Sequence, residues 1–354
     1  MDKLTISRHR IANQRISGIP FDTPASAVMR LGAVQAQDYY GALWAVGLRC
    51  RGCGEGDVEK ALSKKAIVRT WPLRGTLHFV AAEDARWMLE LSRGRVIAGM
   101  AGRCRQLGLA EDDFSRARKL FVKALRGGTR LKRDSMFEVL EKAGISTKGQ
   151  RGFHILHRAA LDGILCFGPR DGKQQTFVLL DEWLVPSKKL SRAEAIAGLA
   201  RRYFDCHGPA TLQDFAWWSG LSAADARAGL EAARPLLTRE KAAGGDLWLP
   251  RDIPAIEAKR SDACLLPAFD EFLVGYKDRG ASVDGEFADR IKGLLSPTIL
   301  MGARIAGKWG RALKPDSVAI AAEPFGAFTK TQLRSLAAAA KKYGEFLGKS
   351  VTLA

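Results

Sequence analysis

The sequence predicts an α+β protein of three tandem winged-helix modules followed by a strand-rich C-terminal tail, a small β-barrel or curled sheet. The order helix, turn, helix, hairpin occurs three times along the chain, and internal repetition of this kind points to modular architecture. After about residue 263 the helical pattern gives way to short apolar runs joined by Gly and Pro. Apolar residues make up 47% and charged residues 27%, the balance of a globular chain, and 354 residues exceed what one core holds. The expected boundaries are 1–105, 106–190, 191–262 and 263–354.

The first module opens with helical patterns over 23–34, 41–48 and 58–62. Residues 67–71 then pair with 76–80 across Pro72, Leu73, Arg74 and Gly75, which reads as a hairpin. In the second module 132–144 is a short amphipathic helix closed by Gly144. A second helix carries Phe153, Leu156, Ala160 and Leu161, and 164–167 pairs with 176–180 around the turn 168–172. The third module repeats this order. Its Phe215…Gly220-Leu221-Ser222 parallels Phe137…Gly144-Ile145-Ser146, with a small difference in helix length. A helix over 223–233 and strands at 236–241 and 247–249, about a turn at Gly244, Gly245 and Asp246, complete it. In the tail, 265–269, 272–276, 298–301 and 318–321 read as short strands. A last helix near 330–347 takes Thr329 as N-cap. Trp71, Trp87, Trp217 and Trp218 read as core anchors.

The formal net charge is +18, which attracts polyanions: nucleic acid first, an anionic membrane surface second. A basic enzyme without such a partner is the plainer alternative. The excess is uneven, since residues 93–151 hold fifteen Lys/Arg and six Asp/Glu, so one sixth of the chain carries half the charge. Solvated helical surfaces usually mix signs, and this density suits a surface that tracks phosphates. Arg103, Arg105, Arg130, Lys132 and Arg133 are the candidate DNA contacts there. No apolar run reaches the roughly 18–20 residues that cross a bilayer, and the first ten residues lack the apolar core of a signal peptide. The expected location is therefore cytoplasmic (nucleoid-associated), with no membrane partner. Six Cys are too few and scattered for a secreted disulfide scaffold, and Cys50 and Cys53 read as ordinary thiols. His154 and His157 have no carboxylate beside them to complete a metal set. No metal and no cofactor are expected.

Gln35 and Gln37 lie at the first interhelix junction. On a helix they would point about 200° apart, so they face the same way only where the backbone is extended or turning. Asp38 is a good N-cap for the following helix, which makes 35–37 such a junction. Two readings stay open on spacing alone: the amides cap chain ends, or they converge on chemistry.

Gln35-Ala36-Gln37 resembles the Gln-hydrophobic-Gln motif of the AlkZ-like, YcaQ-related winged-helix DNA glycosylases. Three further stretches are similar to the same family: Arg69-Thr70-Trp71-Pro72-Leu73-Arg74-Gly75-Thr76-Leu77-His78, Leu265-Leu266-Pro267-Ala268-Phe269-Asp270, and Pro297-Thr298-Ile299-Leu300. They follow in order through most of the chain. The resemblance implies three winged helices braced by a C-terminal β-barrel, forming a C-shaped clamp for duplex DNA. It also implies removal of bulky alkylated purines and unhooking of interstrand crosslinks joined through guanine N7. The YcaQ-like branch has Asp at the second motif position, so Gln37 places this chain with the AlkZ-like branch.

Glutamine barely takes a proton, so it is no general base, but its carbonyl orients water and its NH₂ donates. An N7-alkylated purine is already cationic and leaves neutral without an acid. What remains is to position water and stabilise an oxocarbenium-like sugar. The expected substrates are therefore cationic N7- or N3-alkyl lesions in double-stranded DNA. No Lys near the motif suggests a Schiff base, so a monofunctional hydrolase acting as a monomer is expected. Asp38 is a second carboxylate candidate beside the motif, although capping suits it better. Thr76 and His78 alternate on the first hairpin and share a face, so both are possible cleft residues. Arg74, at the hairpin turn, is a candidate minor-groove or phosphate contact. The rival readings are a non-catalytic DNA-binding protein, such as a regulator or lesion-binding factor, and a protein-interaction scaffold.

Overall fold

The computed structural model describes residues 1–186, 189–242, 245–252, 262–291 and 296–353. The chain forms two compact units: Met1–Glu59 with Ile196–Ala354, and Lys60–Ala195, which interrupts the first in sequence. The α+β class holds in both.

In the interrupting unit two hairpins share one sheet. Ile67–Leu73 pairs antiparallel with Thr76–Ala81, Leu165–Asp171 pairs with Gln174–Leu179, and the hairpins meet where Arg69 stands opposite Phe167. The order within the unit is Thr76–Ala81, Ile67–Leu73, Leu165–Asp171, Gln174–Leu179, Leu131–Lys132. Arg74 and Gly75 both have positive φ, +52° and +69°, the mirror-image turn that matches the twist of a two-residue hairpin. A Cβ at Gly75 would lie 2.7 Å from Val96, so the position also needs glycine for space. Helices Ala85–Gln106, Glu111–Leu125 and Arg151–Leu161 belong to the same unit, and its core includes Phe121, Leu125, Met136, Leu140, Ile155 and Leu165. The expected helix at 132–144 spans Arg133–Glu141.

In the other unit, helices Lys3–Asn13, Pro24–Leu31 and Tyr39–Leu48 precede the interruption, and Arg192–His207 leads back from it. Leu212–Ser219 starts with a reciprocal cap between Thr211 and Asp214 and ends at Gly220 in the left-handed conformation. Ala223–Ala233 and the hairpin Leu237–Ala242 with Gly245–Pro250 follow; the expected turn residue Gly244 lies outside the described residues. Trp71, Trp87 and Trp218 are buried as expected, but Trp217 is 47% exposed. Adjacent residues on a helix point about 100° apart, and here Trp218 takes the core side.

The tail forms a five-stranded sheet in the order Ser350–Leu353, Ser317–Pro324, Arg304–Leu313, Thr298–Met301, Ala263–Leu266. This order is open among the described residues, so the expected barrel is corrected to the curled sheet. Helix Lys330–Leu347, N-capped by Thr329, packs on the strands at both ends. The strand expected at 272–276 is instead a short helix, Glu271–Val274. Asp270 accepts from the Phe272 N–H, and this local cap outweighs the strand preference of the apolar triplet. Cys50 and Cys53, expected as separate thiols, form a disulfide. The turn through Arg51 and Gly52 brings their Cα atoms to 5.6 Å, inside bridging range. Among the described residues no helix is long and apolar enough to cross a membrane.

Candidate active site and basic surface

Between helices Pro24–Leu31 and Tyr39–Leu48 the chain is extended at Val34–Gln35. Asp38 accepts from the Gly41 N–H at 3.1 Å and so fixes the start of the second helix. A Cβ at Gly41 would lie 2.6 Å from the Asp38 carboxylate, so this cap depends on glycine. The capping expected of Asp38 is therefore its observed part. With the helix held back to Tyr39, Gln35 and Gln37 stay on non-helical backbone and their side chains meet. Gln35 Nε2 donates to Gln37 Oε1 at 2.7 Å. Gln35 is 7% exposed, and its Oε1 has no hydrogen-bond partner among the described residues, whereas Gln37 is exposed. A buried acceptor left open is costly unless something fills it.

Behind this pair stand two buried carboxylates that the sequence reading missed. Glu271 Oε1 accepts from the Gln35 backbone N–H at 3.0 Å. Its Oε2 accepts from Trp218 Nε1 at 2.9 Å and lies 3.3 Å from His207 Nε2. Asp270 takes two hydrogen bonds from Arg49, at 2.7 and 2.8 Å, and both side chains are fully buried. Arg49 also donates to the Gln14 and Ala45 carbonyl oxygens and to Gln14 Oε1. The available signal was the pair of acids inside the apolar run from Leu265 to Val274. Charge in such a run has to be paired.

The remaining candidates belong to the interrupting unit. His78 is fully buried, with Nδ1 2.9 Å from the Thr76 carbonyl oxygen, and the Thr76 hydroxyl donates to the Leu73 carbonyl at 3.2 Å. Arg74 sits on the hairpin turn. Among the basic residues, Arg103 donates to Gln106 and Gln150, and Arg133 lies 3.7 Å from Asp134. Lys132 pairs with Asp171 at 2.7 Å and, with Arg130, holds that carboxyl below its ordinary range. Arg105 and Arg130 are exposed. Nearby, Asp162 is contacted by Arg93, Arg158 and Arg118 at 2.7, 3.2 and 3.6 Å. Part of the charge of 93–151 is thus spent inside the unit, and fewer cations than the count suggests are left for phosphates.

His154 and His157 serve packing. His157 lies against Trp71 and Phe153, at ring-centroid distances of 5.3 and 5.7 Å. Burial, with His154 adding to it, lowers His157 to about 4. The unfolded chain, with the ordinary value near 6.5, binds the proton more readily. This part of the stability is present above pH 6.5 and is lost as pH falls towards 4. Between pH 7 and pH 5 the urea-derived unfolding free energy is expected to drop by about 1–2 kcal/mol more in the wild type than in His157→Phe.

Comparison with known proteins places the whole chain in a family. The family model described as DNA glycosylase AlkZ-like matches residues 28–346. The Interstrand DNA cross-link repair glycosylase of Streptomyces sahachiroi is 25% identical over 316 residues, 80% of this chain and 81% of that protein. The solved structure of Streptomyces sahachiroi DNA glycosylase AlkZ superposes with a TM-score of 0.80 at 20% identity, covering all of both chains. At that identity the superposition speaks for the fold, while the family match spans nearly the whole chain. The chain therefore belongs to the AlkZ-like family of DNA glycosylases, hydrolases of the N-glycosyl bond.

Proposed function

We propose that this glycosylase removes cationic N7- or N3-alkylated purines from duplex DNA and unhooks interstrand crosslinks joined through such a purine, with Gln35 and Gln37 positioning the water. The observation that carries this reading is the amide pair itself, joined at 2.7 Å with the buried Gln35 Oε1 left open. That oxygen accepts a hydrogen bond from the attacking water. The Gln37 NH₂ stays free to donate, and both amide carbonyls turn negative dipole ends towards a developing positive sugar. The water oxygen bonds to C1′ as the C1′–N bond breaks. The bond's electrons go to the base and cancel its charge, and the water's spare proton leaves to solvent. No lysine is invoked, so the product is an abasic site and the enzyme is monofunctional.

In this proposal three winged-helix modules, 1–105, 106–190 and 191–262, precede the C-terminal sheet at 263–354. The protein acts as a cytoplasmic, nucleoid-associated monomer. Arg74, on the first hairpin's turn, contributes to DNA contact with Arg103, Arg105, Arg130, Lys132 and Arg133, and Thr76 and His78 support that hairpin.

Single-turnover assays on duplexes carrying one lesion, read by cleavage in hot alkali, test the substrate class. Excision of 7-methylguanine and none of a neutral adduct is expected; comparable rates on both overturn the class. Salt-dependent binding without excision of any lesion would instead identify a DNA-binding factor. In the same duplex, Arg105→Ala and Arg130→Ala are each expected to reduce the slope of log affinity against log salt by about 0.9. Lys132→Ala should reduce it by less, because Asp171 already neutralises that ammonium.

A further inference from the structure

We propose that Glu271 is the positioning residue of the amide pair, setting the place of Gln35 through its backbone. The proposal rests on the reading that Gln35 orients water, and it adds the group that keeps Gln35 in place. The peptide N–H of Gln35 is in a buried segment too short to find its partner in a helix, and a buried N–H needs one. Glu271 Oε1 supplies it at 3.0 Å. The carboxylate is itself held, because its other oxygen takes the Trp218 indole N–H at 2.9 Å and faces His207 at 3.3 Å. Hydrogen bonds to an ionised acceptor are the stronger kind. A carboxylate gripped at both oxygens cannot swing, so its Oε1 is a fixed point for residue 35.

The neighbouring residue holds the far end of the helix that follows the motif. Asp270 binds Arg49, which follows helix Tyr39–Leu48. One dipeptide thus anchors the chain at Gln35 and again at Arg49, beyond the helix that Asp38 caps. Phe269, directly upstream, is held at φ +59°, a conformation that side chains other than glycine rarely adopt. Such strain persists where the surroundings over-determine it, and it clusters where geometry matters.

The decisive variant is Glu271→Gln, whose amide has one acceptor where two donors, the Gln35 N–H and the Trp218 Nε1–H, each need one. Single-turnover excision is expected to fall by about 10- to 100-fold, the loss that follows a misplacement on the order of 1 Å. Duplex affinity should stay within twofold. Hydrogen exchange, resolved to Gln35 by overlapping peptides, should quicken at that amide while the rest of the unit keeps its protection. Glu271→Asp keeps the charge but withdraws both oxygens by one methylene, and it should remain slow. Wild-type excision with unchanged exchange at Gln35 in Glu271→Gln overturns the proposal. So does full recovery in Glu271→Asp, or a uniform rise of exchange with loss of binding, which marks a core role only. If Gln35→Ala and Gln37→Ala excise at the wild-type rate, the chemistry assigned to the pair fails. Faster exchange confined to Gln35 in Glu271→Gln would still support the anchor.

Discussion

Gln37→Ala is expected to lower single-turnover excision of 7-methylguanine by about 10²–10³-fold, with duplex affinity within twofold of the wild type. The separation of rate from binding follows from where Gln37 sits. It is exposed, so its removal opens no cavity, and its known partner is the Gln35 amide at 2.7 Å. Without it, Gln35 loses the acceptor that fixes its rotamer, and its Oε1 no longer points in one direction. Gln35→Ala should cost as much in rate and somewhat more in stability, since Gln35 is buried. Because the two amides act as one unit, the double variant should be little slower than either single one. Additive losses would separate the two into independent roles.

The second large effect concerns stability. Arg49→Met is expected to cost about 3–5 kcal/mol in unfolding free energy, because it leaves Asp270 charged and unpaired in the interior. Both side chains are fully buried, so no solvent is present to take over. The same change strips donors from the Gln14 and Ala45 carbonyls, which also have no water to turn to. Urea unfolding measures the loss. The double variant Arg49→Met with Asp270→Asn should recover part of it, since removing both charges of a buried pair is less costly than removing one. A double variant that loses the sum of the singles would show that the ion pair itself was not the source.

The site was legible in sequence as far as its determinants are local. Two glutamines two residues apart, followed by an Asp able to cap, mark a junction where the side chains converge if the backbone is extended, and they do meet. The hairpins at 67–81 and 165–179 were readable because their turn residues and alternating apolar positions are local too. Glu271 was not readable, since it lies 236 residues from the amide it serves. No periodicity links the two. Within the tail, the apolar triplet Phe272-Leu273-Val274 has the composition of a strand, and only the cap from Asp270 turns it helical. Strand Arg304–Leu313 escaped notice because Gly307 and Gly310 break its apolar alternation, although burial alternates through its first half. Helix Ala85–Gln106 was hidden for a related reason. It buries side chains mainly in its first turns, leaving a mid-section that reads as charge and glycine instead of as an amphipathic face.

The interruption of one unit by the other has a consequence during synthesis. The glutamine pair leaves the ribosome early, followed by the whole of Lys60–Ala195, and the carboxylate that takes the Gln35 N–H arrives 236 residues later. At about 5–20 residues per second, the growing chain carries an unanchored motif for roughly 10–50 seconds. The interrupting unit, whose residues are contiguous, is complete in sequence within that interval. The hydrogen bond that anchors Gln35 is then made only after that unit is complete in sequence. A translation product that stops short of Glu271 would keep the Asp38 cap and lack the acceptor of the Gln35 N–H.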